Sequence, residues 1–237
     1  MRTNLLGAAA TLGVLLAGSP GIAAAATLIG PTPYLSAADS PFVPASFAHF
    51  YLEDLEDGLV NTTGLTATGP DICVSNATCF VGSGLIDSVG NGGDPTVGHS
   101  LFANGTITLT FDAVALGALP TAAGLVWTDG NNPITFEAFD QNGVSLGTLI
   151  GNHADGSFTG GTAEDRFYGA TNPGGISKLV ISNPPGIEID HIQYGVGSAV
   201  IPKGVPEPTS WALMILGLGS VGAAMRNQRR RQAPSLA

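Results

Sequence analysis

The side chains able to do chemistry in this 237-residue chain are mostly acidic. Glu53, Asp54, Glu56 and Asp57 crowd into the stretch Tyr51-Leu52-Glu53-Asp54-Leu55-Glu56-Asp57-Gly58, which reads as the end of a strand running into a turn. Calcium gathers about six to eight oxygens, and carboxylates at a strand end can supply several together with backbone carbonyls. Farther along, Ile187-Glu188-Ile189-Asp190 alternates, so a strand there puts Glu188 and Asp190 on one face and the isoleucines on the other. Both carboxylates can then reach a common site; the alternative is that the acidic 53–57 stretch is a solvated turn and Asp190 ordinary surface. Asp87, Asn91 and Asp94 form a second oxygen-rich loop, but it lacks the alternate acidic positions and later Glu of a helix-loop-helix calcium site and reads as a flexible turn. Glu164, Asp165 and Arg166 read as a surface ion pair at a strand start.

Catalysis needs acids, bases or nucleophiles held together. His49, His99, His153 and His191 are scattered, and neither an HExxH nor a phosphate-loop spacing occurs. Two carboxylates across a cleft can cleave a glycosidic bond, yet an acidic sheet protein offers such pairs by chance, so a non-catalytic protein is expected. Tyr168 and Tyr194 are candidates for stacking on sugar rings, whereas Trp127, next to Val126 and a turn, reads as core. Cys73 and Cys79 enclose only Val-Ser-Asn-Ala-Thr. In an oxidising compartment they would form a local disulfide, and without a nearby histidine pair they make a poor zinc site.

The elements that must position these groups read as strands. Short runs rich in β-branched and aromatic residues recur between Gly, Pro, Asn and Asp punctuation, the pattern of an antiparallel sandwich. Strands are predicted at 45–52, 59–66, 105–111, 124–127, 134–139, 144–150, 166–169, 178–181 and 187–194, with a helical turn within 112–119. Ile107, Leu109 and Phe111 should point inward, as should Leu179 and Ile181. Between Ile134-Thr135-Phe136-Glu137-Ala138-Phe139 and the next strand, Asn142-Gly143 suits a type I′ hairpin turn.

Both ends differ from this body. Arg2, the apolar stretch Leu5 to Ala17 and the small residues Ala24-Ala25-Ala26 make 1–26 a secretory signal peptide with Thr27 as the first mature residue. Residues 27–44 form an extended entry segment, 45–197 the β-sandwich, and 198–204 a linker. At the other end Val205-Pro206-Glu207-Pro208 precedes an apolar run, 211–225, and then Arg226, Arg229, Arg230 and Arg231, with 232–237 a short tail. Each proline fixes φ and removes an N–H, so the Pro-Glu-Pro segment joins neither helix nor sheet and stays accessible. Fifteen residues at about 1.5 Å each give roughly 22 Å of helix, short of a roughly 30 Å hydrocarbon layer. That is a temporary membrane stop, with the arginines holding the cytoplasmic side.

This three-part tail, over 205–231, resembles the PEP-CTERM sorting signal of exported bacterial proteins. The resemblance implies recognition and trimming by an exosortase-type enzyme and delivery to the cell surface or its extracellular polysaccharide matrix. The body carries a second resemblance. Gly124-Leu125-Val126-Trp127-Thr128-Asp129-Gly130, the segment 134–148, Ala163-Glu164-Asp165-Arg166-Phe167-Tyr168-Gly169, the segment 172–182 and Ile187 to Gly195 are similar to the β-sandwich that often precedes such signals. That similarity implies an all-β, single antiparallel sandwich of the jelly-roll, galactose-binding-like kind, often with a structural calcium. In such modules an acidic residue of the first strand and one of the last share the ion; here these would be Glu53 or Asp54 with Asp190.

Charge narrows the partners. Residues 27–204 hold 17 acidic against three basic residues, a net charge of −14. Such a surface repels nucleic acid and favours cations or neutral polysaccharide. The function expected is that of a polysaccharide-associated binding module, with a passive structural matrix protein as one alternative and a glycan-cleaving enzyme as another.

Overall fold

The computed structural model describes residues 25–74, 87–89, 98–156, 164–198 and Leu216. In chain order the strands are β1 (Thr27–Pro33), β2 (Phe47–Glu53), β3 (Leu65–Thr68), β4 (Cys73–Val74), β5 (Leu101–Ala103), β6 (Thr106–Phe111), β7 (Ala122–Gly130), β8 (Ile134–Asp140), β9 (Ser145–Gly151), β10 (Arg166–Thr171), β11 (Ile176–Ser182) and β12 (Ile187–Ser198). Among the described residues of the body, a short helix, α1 (Ala113–Leu116), and two 3-10 turns accompany them.

Two antiparallel sheets face each other. The seven-stranded sheet runs β1-β10-β7-β12-β5-β4, with β2 also paired to β12, and the five-stranded sheet runs β3-β6-β11-β8-β9. The all-β, two-sheet arrangement is therefore as the strand pattern indicates. Inward positions alternate as a half-buried strand requires: Ile107, Leu109 and Phe111 of β6, Ile134, Phe136 and Ala138 of β8, and Leu179 and Ile181 of β11 are all buried. Across from them lie Leu125, Trp127, Tyr168, Ile189 and Tyr194 in the same core. The buried Trp127 indole N–H donates to Asn183 Oδ1 at 2.9 Å, so the ring carries no unmatched donor inside.

Three local readings differ from the structure. The 59–66 strand is displaced to Leu65–Thr68, because Glu53 ties the preceding loop down: its Oε2 accepts from Asn61 N at 2.9 Å, Thr62 N at 2.9 Å and Thr62 Oγ1 at 2.8 Å. The hairpin between β8 and β9 is not type I′. Of its two turn residues only Gly143 has a positive φ (75°), and Asp140 N bonds Val144 O across a three-residue loop whose amides at Asn142 and Val144 the Asp140 carboxylate caps. The entry segment is more than a lead-in: β1 pairs with β10 from Thr27↔Thr171 to Pro33↔Arg166.

Beyond β1, Tyr34 and Phe42 cross the outer face of the seven-stranded sheet. With Val89, Ala122, Val126 and Phe167 they form a second apolar cluster. The sheet is therefore covered on both sides. Among the described residues no helix is long and apolar enough to cross a membrane. Of the signal peptide expected over 1–26, residues 1–24 lie outside the described residues, as does the 211–225 span apart from Leu216, which is helical.

Candidate functional site

The outer face of the seven-stranded sheet changes character along its length. Tyr34, Phe42, Val126 and Phe167 cover one half. The other half is acidic. The pairing of β12 with β7 shifts where Ile189 is opposite Trp127 and Glu188 is opposite Asp129, leaving Thr128 as the extra residue of a β-bulge. A bulge sets two residues of one strand against one of its partner and re-aims their side chains. Phe167 belongs to the outer cluster, so Asp165, two residues before it and just ahead of β10, falls on the same face. Val126 and its partner Asp190 do likewise.

Asp165, Thr128 and Asp190 are completely buried, and Glu188 and Asp129 nearly so. The segment 87–89 closes over them: Val89 N donates to Asp190 Oδ2 at 2.8 Å and Asp87 N to Glu188 Oε2 at 2.9 Å. Ser100 Oγ adds a bond to Glu188 Oε2 at 3.1 Å, and the other oxygen of Asp190 accepts from His191 N. His191 itself sits at φ 42°, just past Asp190 where the register to β7 shifts again.

Burying so many carboxyls together shows in their proton affinities. Burial, with Asp87, Asp190 and Glu164 adding, pushes Asp165 up to about 9. Burial raises Glu188 to about 8 and Asp129 to about 7, and holds Asp190 well above the usual carboxylate range. Glu164 is raised to about 7, again by burial first. Each group resists ionising because burial strips its carboxylate of water, and for Asp165 and Glu164 the nearby Arg166 charge opposes this only in part.

The residues singled out in sequence separate on this map. Glu53 is buried but belongs to the loop: besides the Asn61 and Thr62 donors, its Oε1 accepts from Leu55 N at 3.2 Å. Asp54 is exposed, and Asp190 lies under segment 87–89. Among the described residues no three acidic, histidine or cysteine side chains are grouped to hold a metal ion, so Glu53, Asp54 and Asp190 do not form the expected shared cage. The surface reading of Asp190 also gives way, because its face of the strand is roofed by residues 87–89.

Tyr168 and Tyr194 are corrected too. Both are fully buried between the sheets, Tyr194 donating to Thr63 O at 2.6 Å and Tyr168 sharing a 2.7 Å bond with His153 Nε2. Neither ring keeps a face open to a sugar. Gly143-Val144-Ser145-Leu146-Gly147 spells the letters of a G-x-S-x-G nucleophile elbow. It lies instead on the turn and first residues of β9, where Ser145 Oγ accepts from Gly147 N at 3.2 Å, not at a strand-to-helix turn. Cys73 is in β4 opposite Phe102. Its expected partner Cys79 lies outside the described residues, as do Val205, Pro206, Glu207, Pro208 and Arg226, Arg229, Arg230 and Arg231.

Asp165, Thr128 and Asp129 were not picked out from sequence as a group. The signal was present as Thr128-Asp129, Glu164-Asp165 and Glu188-Ile189-Asp190, acidic residues at the same end of three strands that prove to be neighbours.

These features define a two-sheet β-sandwich with an acidic, roofed outer face. Residues 204–231 match the family described as the PEP-CTERM protein-sorting motif, so the chain carries the mark of an exported protein that passes the membrane. No curated protein matches the sequence. Among solved structures, the chain is similar to the K2 cleaved adhesin domain of Lys-gingipain, at 9% identity and a TM-score of 0.40, over 62% of this chain and 99% of that one. It is also similar to the enzymatically active domain of bacteriophage CBA120 tailspike protein 4, at 16% identity and a TM-score of 0.32, over 60% of this chain and 20% of that one.

Proposed function

We propose that the chain is a non-catalytic protein of the bacterial cell surface or extracellular matrix, sorted there by an exosortase-type enzyme and associated with extracellular polysaccharide. The observation that carries this reading is the sorting motif at 204–231 behind a folded, strongly acidic sandwich. Residues 1–26 direct export and 211–225 pause the chain in the membrane. The enzyme then trims it near Val205 to Pro208, and the jelly-roll body is delivered outside. Cys73 and Cys79 pair in the oxidising compartment, closing a small loop beside β4.

The test is the mass and address of the product in a bacterium with an exosortase system. A chain beginning near Thr27, ending near the Pro-Glu-Pro segment and recovered from the surface or matrix fraction is the expected result. An intact chain in the cytosol overturns the sorting reading.

A second reading, a passive matrix component without a defined ligand, is favoured by one observation: the tyrosines best suited to stack on sugars are buried. Sedimentation of the mature domain with the producer's own polysaccharide separates the two. Saturable retention supports the binding module, and its absence the passive component. New reducing ends would overturn both in favour of an enzyme.

A further inference from the structure

Asp165 and Thr128 share an unusual condition. Both are fully buried, and among the described residues Asp165 Oδ1, Asp165 Oδ2 and Thr128 Oγ1 have no hydrogen-bond partner. Burying a polar oxygen without a partner costs free energy, and an ionised carboxylate costs far more. Their residues are also neighbours in register. The β10–β7 pairing ends with Arg166 opposite Trp127, so the next residues, Asp165 and Thr128, come level just beyond it. Asp190 and Asp87 are the carboxylates whose charges weigh most on Asp165, and Glu188 and Asp129 complete the acidic half of the face.

A proton on Asp165 would remove its charge but leave Thr128 and one carboxyl oxygen unmatched. A cation satisfies all three oxygens at once. We propose that this face holds a divalent cation, calcium by its all-oxygen chemistry, bound through Asp165 and Thr128 with Asp190 as the adjoining carboxylate.

The donor set suits calcium better than zinc or magnesium. It offers hard oxygens only, from a carboxylate, a hydroxyl and nearby backbone carbonyls, the mixed shell that calcium accepts in flexible geometry. Zinc favours nitrogen and sulfur, and magnesium demands a near-ideal octahedron. Among the described residues no three acidic side chains are pre-grouped, so carbonyls and water would supply the remainder of the shell. The site differs from the one the sequence suggests, because Glu53 turns both oxygens to the 55–62 loop, while Asp190, whose oxygens accept from Val89 N and His191 N, adjoins Asp165 as a neighbouring charge rather than as a free ligand.

The experiment uses the purified chain, stripped with EDTA and returned to buffer near pH 8, with calcium or terbium alone as probe. Binding to the folded state raises the melting temperature by about 5 to 10 °C at a hundredfold excess over Kd. Terbium should luminesce through the nearby Trp127, and calcium should quench that signal by displacement. Asp165→Asn should abolish both responses while melting cooperatively, at or above the temperature of the stripped parent. Should Asp165→Asn fail to fold, Thr128→Val carries the test: it removes an unmatched hydroxyl, so the stripped variant stays folded, and calcium binding weakens at least tenfold. Glu53→Gln should keep the calcium response.

An unchanged melting temperature and no terbium signal overturn the proposal. So does a response that Glu53→Gln removes and Asp165→Asn retains, which would put the ion in the 53–58 turn. The outcome is independent of where the protein is sorted.

Discussion

On its inner face the seven-stranded sheet presents Leu125, Trp127, Tyr168, Ile189 and Tyr194 to the facing sheet; on its outer face the same strands carry Asp165, Thr128, Glu188 and Asp190 beside Val126 and Phe167. Both faces are buried, yet by different means. The inner face meets a matching apolar sheet, and its stability comes from area removed from water. The outer face meets segments from elsewhere in the chain, with Tyr34 and Phe42 over one half and residues 87–89 over the other. Burial is thus no guide to chemistry in this sheet. What differs is the oxygens: those of Asp165 and Thr128, which have no partner among the described residues, lie on the outer side, whereas toward the inner side it is a ring nitrogen, His153 Nδ1 beside Trp127 and Tyr168, that goes unmatched.

The sharpest break in this comparison is made from the inner side. Trp127→Ala removes the largest fully buried side chain, empties space that two sheets cannot close, and strands Asn183 Oδ1 without its donor. Destabilisation of about 3 to 5 kcal/mol in a denaturant titration is expected. A loss below about 1 kcal/mol would mean that the sandwich collapses around the hole, contrary to a tightly matched core.

The outer apolar half should yield less to the same treatment. Phe42 packs edge-on against Phe167 with ring centroids 5.3 Å apart and against Phe47 at 6.3 Å. It is delivered by a segment outside the sheets, which can settle inward when the ring is cut back. Phe42→Ala is expected to cost about 2 to 3 kcal/mol. Amide exchange should quicken across 34–46 before it does in β7 or β12. If exchange rose equally in the inner strands, the covering segment would be part of the core rather than a lid over it.

The same asymmetry governs what could be read from the amino-acid order. Strands β6, β8 and β11 each have one wetter face, so their alternation survives as Ile107-Leu109-Phe111 or Ile134-Phe136-Ala138 and places them closely. Strand β7 is buried at every position, so Thr128 and Asp129 looked like the start of a turn, and the strand was expected to end at Trp127. Glu188 and Asp190 followed the alternation rule faithfully, away from the isoleucines. The step from there to solvent failed because the roof comes from residues about 100 positions earlier, a contact no local pattern encodes. The tail is the reverse case. Its order of rigid prolines, apolar run and arginines is itself the signal, so it was legible without any fold, and the match at 204–231 agrees.

A smaller effect sharpens the inner side. The Tyr194 ring stacks on Tyr51 at 4.9 Å between centroids, while its hydroxyl donates to Thr63 O. Tyr194→Phe keeps the stack and leaves one carbonyl short of a partner. About 1 kcal/mol should be lost. Tyr194→Ala should cost several times more, because the aromatic body supplies most of the contact. Equal losses from the two variants would shift the weight from the ring to the hydroxyl.

The smallest effect at neutral pH belongs to His153, at the seam where the inner face approaches the acidic end. Its ring stands edge-on to Trp127 at 4.8 Å and its Nε2 meets the Tyr168 hydroxyl. Burial, followed by the nearby Arg166 charge, lowers its pKa to about 4 against a usual value near 6.5, and a bond involving Glu164 opposes this only partly. The folded protein therefore binds fewer protons here than the unfolded chain. This contribution to stability is fully present above about 6.5 and is lost as pH falls from 6.5 towards 4. Proton NMR of the folded chain should follow the His153 imidazole to a midpoint near 4. The unfolded chain should titrate it near 6.5. A folded midpoint near 6.5 would mean that water reaches the Trp127–His153–Tyr168 contact, and that the dry inner face ends one strand sooner than its packing indicates.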